Sequence, residues 1–273
     1  MYKKFYHLKE NPFNVTSDPD FFFFSARHAE AFSHLVYGIS ERKGILVITG
    51  EIGAGKTTLC RTLLNRLDEK TKTALILNPS FSDIQLLKFI LKDLGIEGKF
   101  QNKFAIIEAL NKFLLEQSNL GHNVAIIIDE AQNLKPQQLE QIRLLSNLET
   151  EKEKLLQIIL VGQPELVNKL KLPSLTQLDQ RVSVRYHIMP LKQNEIADYI
   201  NHRLKIASGT NNPNPICQFK DDAIEKIYKE TQGIPRKINI LCDRVLLAGY
   251  TKEIRTFDKN LIEECIADLY SVK

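Results

Sequence analysis

No apolar stretch in this 273-residue chain approaches the roughly 18–20 residues that a membrane-spanning helix needs. The opening Met1-Tyr2-Lys3-Lys4-Phe5-Tyr6 lacks the apolar core of a signal peptide. Both points lead away from a membrane or exported protein and toward a soluble cytoplasmic one. Cysteine is sparse. Cys60, Cys217, Cys242 and Cys265 lie far apart with no C-x-x-C pair, which argues against a zinc site and a disulfide framework. They read as small core residues of a reducing compartment. No sign of charge dominates: 37 Lys+Arg face 33 Asp+Glu, and a net +4 is too mild to demand nucleic acid. The chain has no internal repeat and no low-complexity tract. Its 43% hydrophobic and 26% charged residues are ordinary globular composition, enough for one large or two small domains.

What the chain does contain is Gly50-Glu51-Ile52-Gly53-Ala54-Gly55-Lys56-Thr57, a G-x-x-x-x-G-K-T pattern that cradles phosphate. The β-branched run Gly44-Ile45-Leu46-Val47-Ile48-Thr49 before it suits a buried parallel strand. From Thr57 and Thr58 to Leu67, apolar residues recur at helical spacing. The pattern therefore sits in a strand–loop–helix context. Glycines without Cβ let backbone N–H groups approach phosphate and let the chain take positive φ. The helix that follows adds unsatisfied N–H groups and its positive dipole end. Lys56 can place a charge on the β/γ oxygens of a nucleoside triphosphate, and the Thr57 hydroxyl can ligate Mg²⁺. The plain alternative is a glycine-rich turn before a helix.

Strand-like and helical runs alternate from Gly44 onward. Further strands are expected at 73–78, 124–128, 156–161 and 182–188, with helices near 82–94, 102–118 and 136–149 between them. Strands separated by helices imply right-handed crossovers and a five-stranded parallel sheet covered on both faces. After Pro190 the strand signal stops. Helical stretches remain near 192–208, 220–231, 235–251 and 258–270, with the loop Ser208–Pro215 separating the first two. The expected organisation is an N-terminal strap over 1–43, an α/β domain over 44–190 and a small all-helical lid over 191–273.

The third strand runs into Asp129-Glu130, and the carboxyl end of a central strand is where open α/β sheets bind ligands. Asp129 would hold Mg²⁺ through water or through Thr57. Glu130 could polarise an attacking water. A solvated acidic turn is the alternative.

This order of P-loop strand, extra strand, acidic strand, fourth strand and helical lid resembles the AAA+ ATPases. The resemblance implies ATP and Mg²⁺ as cofactors, and roles for further residues. Gln163, just past the fourth strand, stands where a polar sensor-1 residue is expected, or is a turn residue before Pro164. Arg181, in Leu178-Asp179-Gln180-Arg181-Val182, stands where an arginine finger reaches a neighbouring subunit. Arg185 is a near alternative, and a surface salt bridge would account for either. In Gly233-Ile234-Pro235-Arg236, proline suits the first turn of a helix, so Arg236 matches a lid sensor-2 arginine or a generic helix start. Asn78, at the end of the second strand, matches a polar residue that holds the catalytic Glu from water, or is a turn signal before Pro79.

The first forty residues narrow the family. Met1–Leu8, Asn11-Pro12-Phe13, Asp18-Pro19-Asp20-Phe21, Ser25–Phe32 and Tyr37-Gly38-Ile39 resemble the opening of ExeA/GspA-type proteins, the AAA+ ATPases of general secretion, with relatives in pilus biogenesis. That resemblance implies a strap that packs on the α/β domain and helps close an adenine pocket, with Phe13, His28 and Ile39 as contacts. It also implies a nucleotide-dependent homo-oligomer, an envelope-machinery partner and a peripheral place at the inner membrane. Phe21-Phe22-Phe23-Phe24 is expected to fill a core, since an exposed run would be a partner or aggregation site. Secretion members typically continue into a membrane span and a peptidoglycan-binding domain. This sequence ends at Lys273 with neither, which suggests a truncated chain or a cytoplasm-only branch. Two other readings stand beside the assembly ATPase: a DNA-associated regulator of transposition or initiator type, and a slow nucleotide switch. Lys-rich faces such as Lys152/Lys154 and Lys169/Lys171 permit the first, but paired acids such as Glu151 and Glu153 make a solvated face the better reading.

Overall fold

The protein is described by a computed structural model that covers residues 1–209 and 217–271. Most of the expected loop at Ser208–Pro215, from Thr210 on, lies outside the described residues. In chain order the elements begin with α1 (Tyr2–Phe5), α2 (Ala26–Ser40), β1 (Ile45–Gly50), α3 (Lys56–Leu64), β2 (Thr71–Ile76), α4 (Asp83–Asp93) and α5 (Lys103–Asn119). They continue with β3 (Asn123–Ile128), α6 (Pro136–Leu145), β4 (Gln157–Gly162), α7 (Glu165–Leu170), α8 (Thr176–Asp179) and β5 (Val182–Ile188). The last group is α9 (Ile196–Ser208), β6 (Gln218–Phe219), α10 (Asp221–Thr231), α11 (Pro235–Thr251), β7 (Thr256–Phe257) and α12 (Lys259–Ser271). Two compact units result. One joins Met1–Ala26, Gly53–Thr58 and Met189–Lys273; the other joins Arg27–Ile52 and Leu59–Ile188.

The second unit holds a parallel sheet in the order β2-β3-β4-β1-β5. Alternation along a strand sends successive side chains to opposite faces. Ile45 and Val47 of β1 enter one apolar core with residues of α4, α5 and α6, while Leu46 and Ile48 on the other face are also fully buried. The central strands therefore read as unbroken apolar runs, as buried parallel strands do. The edge strands are less covered: in β2 the buried Ala74 and Ile76 alternate with half-buried Thr73 and Leu75, and in β5 the buried Val184 and Ile188 are separated by exposed and half-buried positions. Registers Ile128↔Leu160 and Thr49↔Gly162 bring the carboxyl ends of β3, β4 and β1 to one edge of the sheet.

The first unit is built on α9–α12. Its core includes Tyr6, Leu8, Phe13 and Phe21 from the N-terminal segment, packed with residues such as Ile227 and Val245. The region expected as one strap over 1–43 therefore divides. Residues 1–26 share a core with the C-terminal helices, and most of α2 belongs to the α/β unit. Phe21 and Phe22 are buried, and Phe23 lies against Tyr199 and His202 at ring-centroid distances of 5.8 and 5.5 Å. The four cysteines are buried, and none is in a disulfide among the described residues. Burial pushes the Cys217 thiol up to about 12 and the Cys265 thiol to about 11, so both stay protonated and inert at neutral pH. The helical unit also carries β6 paired in parallel with β7. Two residues per strand are too few to show a period, which is why sequence patterning gives no sign of it.

Arg203 ties the N-terminal segment to α9. It is 6% exposed and donates to the carbonyls of Pro12 (2.5 Å) and Asn14 (3.0 Å) and to the Tyr199 hydroxyl (3.3 Å). Its guanidinium carbon lies 4.8 Å from the centroid of the Phe21 ring. Arg203→Met fills similar volume but leaves the buried Pro12 carbonyl without its Arg203 donor and removes one of the two donors to the Asn14 carbonyl. It is expected to cost about 3 kcal/mol, read as a lower urea midpoint with the slope unchanged.

Candidate functional site

The P-loop begins as the last residue of β1. Gly50 still lies in the strand, while Gly53 and Gly55 take φ of +81° and +92°, where side chains with a Cβ are strained. Glu51 and Ile52 are exposed at the turn, and Ala54 is buried. Lys56 opens α3 and is only 6% exposed; Thr57 and Thr58 follow in its first turn, half-buried. A nine-residue helix with two left-handed glycines before it offers N–H groups and a positive dipole end. This residue set fits a polyphosphate. A Cβ on Gly53 would sit 2.5 Å from the Cβ of Arg236, and the Arg236 backbone N–H donates to the Gly53 carbonyl at 3.1 Å. Arg236 is the second residue of α11, behind Pro235 in the first turn, and its side chain is exposed.

Asp129 follows β3 and is 2% exposed. Its N–H donates to the Ile76 carbonyl at 2.8 Å, and its Oδ1 accepts from the Glu130 N–H at 2.8 Å. Glu130 adopts φ of +52°, a left-handed conformation that costs a non-glycine residue about 1–2 kcal/mol. Its Oε2 accepts from two amides, Gln132 Nε2 at 2.5 Å and Gln163 Nε2 at 3.3 Å. Gln132 Oε1 in turn accepts from the Gln163 backbone N–H at 3.0 Å. Glu130 and Gln163, placed on separate loops by the sequence, thus meet at the carboxyl edge of the sheet. Gln132 is the member that sequence reasoning misses. A glutamine two residues past an acidic pair carries no signal of its own.

A family model described as an AAA domain matches residues 39–170. General secretion pathway protein A of Aeromonas hydrophila is 40% identical over 253 residues, which is 92% of this chain and 45% of that protein. The chain has the AAA+ fold and resembles proteins of the ExeA/GspA type. It spans less than half the length of that relative. The ORC2 protein of Aeropyrum pernix, solved as ADPNP–ADP complexes, shares the fold at TM-score 0.63 and 16% identity, over 88% of this chain and 66% of that one. Drosophila ORC bound to DNA does so at TM-score 0.66 and 15% identity, over 99% of this chain and 65% of that one.

Other AAA+ expectations meet specific surroundings. The second strand ends at Ile76, not at Asn78, and the exposed Asn78 side chain accepts from the Ser80 N–H and hydroxyl at 3.3 and 2.8 Å. Buried Gln138 fixes that turn by donating to the carbonyls of Pro79 and Phe81. Asn78 therefore caps a turn, and among the described residues Gln132 and Gln163 are the side chains that hydrogen-bond the Glu130 carboxylate. Arg185 is engaged by Asp179, donating to its carbonyl at 2.6 Å and its carboxylate at 2.9 Å. Arg181 is exposed just before β5, with the electrostatic influence of Glu149 nearby and no side-chain hydrogen bond among the described residues. Phe13 and Ile39 are 2% exposed and His28 is 3% exposed, so all three are buried. Among the described residues, no helix is long and apolar enough to cross a membrane.

Proposed function

We propose that this AAA+ protein binds ATP with Mg²⁺, hydrolyses it in a homo-oligomer, and energises the assembly of a bacterial secretion or pilus machine. The observation that carries the reading is the P-loop that follows β1, with Asp129 and Glu130 following β3, the strand two places from β1 in the same sheet. In this reading the amides of Gly53–Thr58 and the Lys56 ammonium hold the triphosphate. Thr57 and Asp129 supply oxygen ligands to Mg²⁺, which when bound offsets the charge that builds on the phosphoryl oxygens. Glu130 takes the proton of the attacking water, and Gln163 orients the same region as a sensor. Arg236 reports the nucleotide to the helical lid. Arg181 lies at the amino edge of the sheet, so it serves a neighbouring subunit rather than its own site. The secretion role is supported by the 40% identity to general secretion pathway protein A.

The test is phosphate release from ATP by the purified chain, with and without Mg²⁺. Turnover should require the ion, rise with protein concentration as subunits associate, and ignore duplex DNA. Strong, salt-sensitive stimulation by duplex DNA would instead support a DNA-associated regulator. Tight binding with no turnover at any concentration would leave a nucleotide switch.

A further inference from the structure

The hydrogen bonds around Glu130 form a closed three-residue ring, and its centre is Gln132. The two ends of a glutamine amide have the same shape, but here the chemistry assigns them. The Gln163 backbone N–H is only a donor, so it must face Gln132 Oε1. The NH₂ end of Gln132 is then turned onto Glu130 Oε2. Gln163 Nε2 reaches the same Oε2. Glu130 Oε1 accepts no side-chain hydrogen bond among the described residues.

Two further features hold Gln132 in place. Lys169 of α7 donates to the Gln132 carbonyl at 2.5 Å and to the Leu134 carbonyl at 2.9 Å, which fixes the 3-10 turn at Ala131–Asn133. The last residue of β4 is Gly162, and a Cβ there would stand 2.8 Å from Gln132 Oε1 and 3.3 Å from its backbone nitrogen. The side chain of Gln132 occupies the space that any larger residue at 162 would fill.

We propose that Gln132 is a positioning residue for Glu130. Its amide commits one carboxylate oxygen to the ring and leaves the other to accept the proton of the attacking water. This rests on the reading of Glu130 as the base in ATP hydrolysis. A base displaced by about 1 Å loses on the order of a hundredfold in rate, while affinity for the substrate need not change.

The experiment compares kcat, KM and equilibrium affinity for a fluorescent ATP analogue in Gln132→Met and Gly162→Ala, each also placed in a Glu130→Gln background. Gln132→Met keeps the volume and removes both hydrogen bonds. Gly162→Ala keeps the glutamine and displaces it, so the two changes reach the ring from different sides. Thermal melting identifies a variant that fails to fold, and the other then carries the test. The expected result is a kcat lower by roughly ten- to a hundredfold with analogue affinity within about twofold, and no further fall in the Glu130→Gln background. An equal fall in both backgrounds would assign Gln132 to the scaffold and overturn the proposal. A rise in kcat would also overturn it, because the ring would then restrain Glu130. Normal turnover by Glu130→Gln alone would remove the base assignment itself, a failure distinct from that of the ring.

Discussion

Lys56→Ala is expected to lose ATP binding and turnover together. Lys56 as a residue is 6% exposed at the first position of α3, behind two glycines in the left-handed region. A cation in that position faces a ligand carrying several negative charges, in surroundings of low dielectric. Truncating one partner of a buried, hydrogen-bonded charge pair costs about 2–5 kcal/mol, which is roughly thirtyfold to several thousandfold in affinity. The change acts on ground state and transition state alike, since the phosphates are charged in both, so binding and turnover should fall in parallel. Thermal melting separates this loss from a folding defect. Without nucleotide the variant should still melt in one cooperative transition, while the upward shift that ATP gives the native chain should vanish. Lys56→Arg keeps the charge in a planar, wider group and should also bind poorly. Native ATP affinity in Lys56→Ala would remove the P-loop from the proposed function.

How much of this is legible in the sequence depends on how local each signal is. β1, β3 and β4 announce themselves because both faces of a central parallel strand are apolar, and the P-loop follows β1 without a break. The edge strand β2 is set two residues late by the same reading, since its own apolar residues alternate and Leu77-Asn78 extend the run. That shift is why Asn78 looks like a strand-end residue when it caps a turn. α7 and α8, of six and four residues, are too short to show a helical period. The packing of Met1–Ala26 against distant helices is a long-range fact: Tyr6 donates to the carbonyls of Leu246 and Ile254, and no local pattern encodes those partners. At the site, Lys56, Asp129 and Glu130 follow from motif chemistry. Gln132 does not, because its role arises only when the β3 and β4 loops lie side by side.

Glu130→Gln is expected to separate binding from chemistry. The substituted side chain has the size of the native one, and its amide oxygen can accept from Gln132 and Gln163 as Oε2 does, so the ring and the left-handed backbone survive. Its NH₂ then points where the free carboxylate oxygen stood, and an amide cannot take a proton from water. Loss of a general base costs about a hundred- to ten-thousandfold in kcat, with ATP affinity near the native value. Bound nucleotide that is not consumed should hold subunits together, visible as a larger species by light scattering when ATP is present. The second consequence follows from the sheet. Arg181 precedes a seven-residue strand that runs parallel to β1, so it lies roughly 20 Å along the strand direction from the edge that carries Glu130. An arginine there can complete only a neighbour's site. Arg181→Ala should therefore fail alone, and so should Glu130→Gln. A mixture should recover activity, because some interfaces will pair an intact Glu130 on one subunit with an intact Arg181 on the next. Recovery should grow with total protein and peak near equal proportions. If mixing restores nothing while each variant still binds ATP and associates, Arg181 is a surface residue and the trans-acting group lies elsewhere.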